Sequence, residues 1–137
     1  MKLNISTLLI VSIGLIVFVA YTLTLPWTWW RVAGSAIVIP AFALLLVSRL
    51  QLGRAFSVGP KATMLVTSGI YSRIRNPIYL FASIMALGLI IWSGRPWLLV
   101  ILAILIPMQI LRSRKEAELL AAKFGNEYLE YRRKTWF

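Results

Sequence analysis

Cysteine and histidine are both missing from this chain of 137 residues. Without them there are no disulfides, no thiol nucleophile, no imidazole base and none of the usual Cys/His zinc sites. Acids are scarce: four glutamates, Glu116, Glu118, Glu127 and Glu130, stand against 15 lysines and arginines. All four follow the last long apolar run, so no carboxylate lies where a proton-coupled transporter needs one inside the membrane. Four short spans would suit a small antiporter in size, but this absence argues against that function.

What is plentiful is apolar surface. Hydrophobic residues make up 60% of the chain, too large a share for an ordinary soluble domain, so a membrane is the expected solvent. A net charge of +11 would suggest nucleic acid in a soluble protein. Here the bases gather between and after the apolar runs, as the positive-inside rule requires, and no nucleic-acid partner is expected.

Crossing a hydrocarbon core of about 30 Å takes about 20 helical residues. Apolar runs at residues 5–25, 32–48, 78–92 and 97–111 approach that length. They predict an all-α integral membrane protein, with four transmembrane helices in a single domain over residues 1–137, a cytosolic loop at 49–76 and a cytosolic amphipathic helical tail at 112–137. Lys2 before the first run resembles a signal peptide, but Phe18-Val19-Ala20-Tyr21 offers no small-x-small cleavage site, and an uncleaved anchor is expected. The indoles of Trp27, Trp29 and Trp30 mark a tight connection at the membrane interface. Gly34, Ser35 and Ala36 invite close helix approach, as do Ala82 and Ala86, which fit packing within one chain or between two. Pro40 and Pro107 permit bends, and Ser93-Gly94-Arg95-Pro96 is a compact turn between two antiparallel helices. Thirteen bases (Lys2, five in the 49–76 loop and seven in the tail) fall on one side, and only Arg31 and Arg95 fall on the other. Both termini are therefore expected in the cytosol.

Leu65 to Tyr79 joins a polar, arginine-bearing loop to an apolar helix. Pro77 suits a helix's first turn and Asn76 its N-cap, so free N–H groups face back toward Arg73 and Arg75 and favour an anion there. Ile70 to Ile74 reads as a short interfacial turn with Tyr71 at headgroup depth. A basic loop that only sets topology explains the same residues more simply. Further on, the glutamates begin at Glu116, where a solvated helix balanced by i,i+3 and i,i+4 pairs is again the plain explanation.

Two blocks are more particular than that. Leu65-Val66-Thr67-Ser68-Gly69-x-Tyr71 followed by Arg75-x-Pro77-x-Tyr79, and Arg112-x-x-x-Glu116 followed by Leu120, Phe124-Gly125, Tyr128 and Tyr131, stand in order around a helical hairpin. Together they resemble the isoprenylcysteine carboxyl methyltransferase and phospholipid methyltransferase families, integral membrane enzymes that use S-adenosylmethionine. The resemblance covers Leu52 to Lys134. It implies a cofactor site between the cytosolic ends of the third and fourth spans and the tail helices, beneath the Leu65 to Asn76 loop. The cofactor's own chemistry then suggests Arg75, Asn76 and Pro77 for its carboxylate, Glu116 for its ribose or ammonium and Tyr79 for its adenosyl group, with Tyr71 beside them. Arg75, Asn76 and Arg112 are the implied catalytic residues. The implied acceptor is a lipidic or small apolar molecule entering from the bilayer, and the implied location is a bacterial or archaeal cytoplasmic membrane.

Three departures qualify the resemblance. The family's usual Arg-His-Pro is Arg75-Asn76-Pro77 here, which keeps a hydrogen-bonding side chain but loses a proton carrier. Its Glu-Glu pair is Glu116-Ala117, with Glu118 about 100° further round the helix than Ala117. Phe81 stands where glycine is common. A member that binds cofactor or lipid without turnover thus remains an alternative to an active enzyme. With no histidine, a carboxylate acceptor, already ionised at neutral pH, fits better than an amine.

Overall fold

The computed structural model describes residues 5–53 and 65–136. Arg54 and Lys61 of the expected loop, and Lys2, lie outside these. The described residues are all-α: α1 (Ile5–Thr24), α2 (Trp29–Leu52), α3 (Pro77–Ser93), α4 (Leu99–Phe124) and α5 (Asn126–Lys134). Short 3-10 turns occur at Gly69–Ser72 and Pro96–Leu98.

Two boundaries differ from expectation. Residues 29–31 were expected in a connection, yet α2 starts at Trp29, since interfacial indoles are as compatible with a helix end as with a loop. At its other end α2 passes Arg49 and stops only at Gly53, whose φ of 51° is one that side-chain-bearing residues rarely adopt. Polarity ended the apolar run at Arg49, but it did not end the helix. Prolines 40 and 107 both lie inside continuous helices.

Helices α2 and α3 form the main interface. A Cβ on Gly34 would lie 2.5 Å from the Trp92 backbone, and one on Gly88 would lie 2.9 Å from the side chains of Ile37 and Val38. Backbone contact of this kind requires small residues, and Gly88, more than Ala82 or Ala86, supplies it from α3. Val38, Ala41, Phe81 and Ile90 are buried there. Two helix hydroxyls are satisfied locally, Thr22 donating to the Phe18 carbonyl and Ser48 to that of Leu44, both at 2.7 Å, whereas Ser35 Oγ on α2 is buried without a partner among the described residues. α1 meets the rest through Phe18 and Tyr21 on the Trp92 ring, at centroid distances of 5.3 and 6.0 Å.

Much apolar surface remains uncovered on α1, α2 and α4, including Ile16, Ile39, Ile104, Met108 and Leu111. Two helices, Trp29–Leu52 and the 3-10 turn plus α4 from Pro96 to Phe124, are long and apolar enough to cross a membrane. A continuous apolar exterior of this extent is compatible with an integral membrane protein.

The ends of the bundle differ. At one, Trp30 packs on Gly94, which closes α3 with a φ of 65°. At the other, the Gln51 side chain accepts the Ile70 N–H at 2.8 Å and ties α2 to the 3-10 turn. Beyond Gly125, α5 folds back over that turn. Tyr131 donates its hydroxyl to the Tyr71 carbonyl at 2.7 Å, Trp136 donates its N–H to the Arg73 carbonyl at 3.0 Å, and Ile74 and Trp136 form an isolated parallel bridge. Tyr128, Tyr131 and Thr135 are buried by this clamp. Tyr71 is buried as well, covered by protein.

Candidate functional site

Helix α3 carries Asn76 just before it, then Tyr79 and Ser83, at spacings of three and four residues that keep them on one face. Helix α4 carries Gln109, Arg112, Ser113 and Glu116 on the face opposite. The two sets meet in a polar seam with three rungs. Outermost on α3, Asn76 Nδ2 donates to Ser113 Oγ at 2.8 Å. Next, the Tyr79 hydroxyl donates to Glu116 Oε1 at 2.6 Å, and Arg112 Nε donates to the same oxygen at 3.3 Å. The Arg112 guanidinium also stands 5.7 Å from the Tyr79 ring centre, within cation–π range. Deepest, Ser83 Oγ donates to Gln109 Oε1 at 2.7 Å. Helical side chains lean toward their N-terminus, which is why Tyr79 reaches outward to Glu116 while Ser83 meets Gln109 below.

Pro77 occupies the first turn of α3, as expected, and is fully buried. Asn76 is at the N-cap position but makes no capping hydrogen bond, because its amide is turned to Ser113. Its role is a cross-link between helices. Glu118 is exposed and away from the seam, and Phe81 is buried in the core.

Tyr71 and Arg75 approach from the loop. The Tyr71 hydroxyl and Arg75 Nε are both buried without a hydrogen-bond partner among the described residues. Burial raises the Tyr71 phenol well above its usual range; Tyr131, Glu116 and Tyr79 push it the same way and Arg49 opposes them. Burial likewise pushes Tyr131 up to about 12, with Tyr128 adding and Arg75 opposing. These electrostatic couplings bring the loop, the seam and α5 together around one region. Arg73 differs: its side chain is exposed, and its carbonyl serves the Trp136 clamp.

Ser83, Gln109 and Ser113 were not singled out by sequence reasoning, and Arg49 was counted only as a loop base. The signal for the first three is the helical spacing of polar residues through apolar runs, read on α3 and α4 together.

No curated protein and no solved structure gives a match to the chain. The family model for phospholipid methyltransferase matches residues 29–127, from the start of α2 into the first turn of α5. That range contains every rung of the seam and both loop residues beside it, and omits α1 and the clamp residues Tyr131, Thr135 and Trp136. By a match over most of its length, the chain belongs to the phospholipid methyltransferase family.

Proposed function

We propose that the chain is an S-adenosylmethionine-dependent methyltransferase acting on a lipidic acceptor, with its site at the cytosolic end of four transmembrane helices. The observation that carries this reading is the Tyr79–Glu116–Arg112 cluster, with the buried, unpartnered Tyr71 hydroxyl and Arg75 Nε beside it. Buried polar atoms without partners are expensive unless a ligand satisfies them. The cofactor's chemistry fits this set: Arg75 would hold its carboxylate, Glu116 its ammonium or ribose, and Tyr71 and Tyr79 would flank the adenosyl group. Pro77 and Asn76 fix the helix start that presents them. The thirteen-to-two division of bases supports a cytosolic face for this end.

When S-adenosylmethionine is bound, a lipid carboxylate forms a C–O bond to its methyl as the methyl–sulfur bond breaks, the electron pair staying on sulfur and no proton moving. The protein's task is then to align the reactants and exclude water. A carboxylate acceptor suits a chain without histidine or cysteine whose site carboxylate, Glu116, is already engaged by Tyr79 and Arg112.

The test combines binding and turnover. S-adenosylhomocysteine should raise the melting temperature of the detergent-purified protein by mass action. Arg75→Ala, Tyr79→Phe and Glu116→Gln should each shrink that shift, and Glu130→Gln, on the exposed side of α5, should not. With methyl-labelled S-adenosylmethionine and host lipid extract, label should appear in a base-labile ester. Its kcat/KM should be flat between roughly pH 6 and 8, since a carboxylate of pKa about 4 stays ionised throughout. A rate rising about tenfold per pH unit with base-stable label would replace the carboxylate by an amine. A thermal shift without any label would identify a cofactor-binding member lacking turnover.

A further inference from the structure

The deepest rung of the seam lies beyond the residues that would hold the cofactor. Ser83 is four residues past Tyr79 and Gln109 is seven before Glu116, or about 6 and 10 Å further along their helices. Ser83 Oγ has one proton, with Gln109 Oε1 at 2.7 Å and the Tyr79 carbonyl at 3.0 Å. The Gln109 amide nitrogen, with two N–H donors, has no partner among the described residues. Turning the amide over would let that nitrogen donate to Ser83 and free the serine proton for Tyr79, and even then one N–H is left over.

The surroundings make this leftover donor informative. Met108, Ile110 and Leu111, on either side of Gln109 along α4, are exposed apolar residues. Glutamine is polar cargo in such a segment, and hydrocarbon offers nothing to satisfy it. One hydrogen bond is enough to pin α3 to α4, and it consumes only one of the amide's donor and acceptor positions. A lipid headgroup lying against the seam would take the remaining donor.

We propose that Ser83 and Gln109 form the headgroup subsite for the methyl acceptor, the Gln109 amide donating to one carboxylate oxygen of a lipidic acid whose chain lies along the exposed apolar face of α4. This rests on the methyltransferase reading above. It deepens it by assigning the acceptor's end of the seam: Ser83 orients the amide, and the amide selects an oxygen-bearing headgroup and leaves its second oxygen toward Tyr79 and Arg112.

N-palmitoylglycine is a suitable probe, measured for retention by the full chain in detergent micelles, without cofactor, alongside phosphatidylethanolamine. Wild type should bind the acid at least tenfold more tightly than Gln109→Met, which keeps the side chain's length without its amide, and than Gln109→Glu, whose charge repels a carboxylate. Ser83→Ala should give a smaller loss. The melting shift with S-adenosylhomocysteine should be unchanged in each, which separates a subsite from a merely structural hydrogen bond. Equal retention of N-palmitoylglycine by wild type and both Gln109 variants overturns the subsite, as does a loss confined to phosphatidylethanolamine. If retention depends on Gln109 but labelled methyl reaches neither the acid nor any lipid of the host extract, the methyltransferase reading fails and a lipid-acid binding site stands in its place.

Discussion

At the residue scale, one buried hydrogen bond is a direct probe of how α5 holds the turn beside the seam. Tyr131 donates to the Tyr71 carbonyl, and removing the hydroxyl leaves that carbonyl buried and unpaired. Tyr131→Phe should therefore cost about 1–3 kcal/mol, read as a lower melting temperature in detergent. The same residue fixes a pH dependence. Its folded-state value, near 12, exceeds the unfolded value of about 10, so the folded state holds its proton more tightly. The associated stability is fully present below pH 10 and is lost as pH rises toward 12. The gap in melting temperature between wild type and Tyr131→Phe should accordingly narrow across that window. A gap that stayed constant across that window would show that the phenolate is tolerated. Tyr71 was legible as a member of the candidate site but its burial was not, because what covers it comes from Tyr131, 60 residues away.

At the element scale, α2 and α3 approach so closely that one added methyl group is a sensitive probe. The space at Gly34 is bounded by the Trp92 backbone at 2.5 Å, which has no rotamer to yield, so Gly34→Ala should force the helices apart. Overpacking of this kind costs about 1–3 kcal/mol, and the melting temperature should fall accordingly. Gly14→Ala meets nothing within 4 Å and should leave stability unchanged or slightly raised. Helix ends were readable where Pro77 fixes φ for a first turn and where Gly94 and Gly125 can take, at little cost, the positive φ that closes a helix. The extension of α2 to Leu52 was not readable, because a helix leaving hydrocarbon turns polar before it ends. The seam was half readable. Tyr79 and Glu116 stood out within their own blocks, whereas Ser83 and Gln109 acquire meaning only when two helices are set face to face.

For the whole molecule, the all-α class and two helices long and apolar enough to cross a membrane followed from the length and spacing of the apolar runs, and the number of spans and their orientation are open to a direct experiment. The absence of cysteine makes the chain its own blank. Cysteines introduced singly at Trp27 and Lys134, both exposed, should react with an impermeant reagent from opposite faces of the membrane, with Lys134→Cys labelled from the cytosol. Labelling of both from one face would overturn the four-span arrangement. Thr135 is a poor choice for this purpose because the clamp buries it. That clamp also sets an order of events during synthesis. At roughly 5–20 residues per second, several seconds separate the emergence of Tyr71 from that of its partner Tyr131. In that interval α3 and α4 can pair, while the turn at Gly69–Ser72 is tied back only through Gln51. The helical bundle can thus be made first, and the turn is clamped from its other side only when α5 arrives.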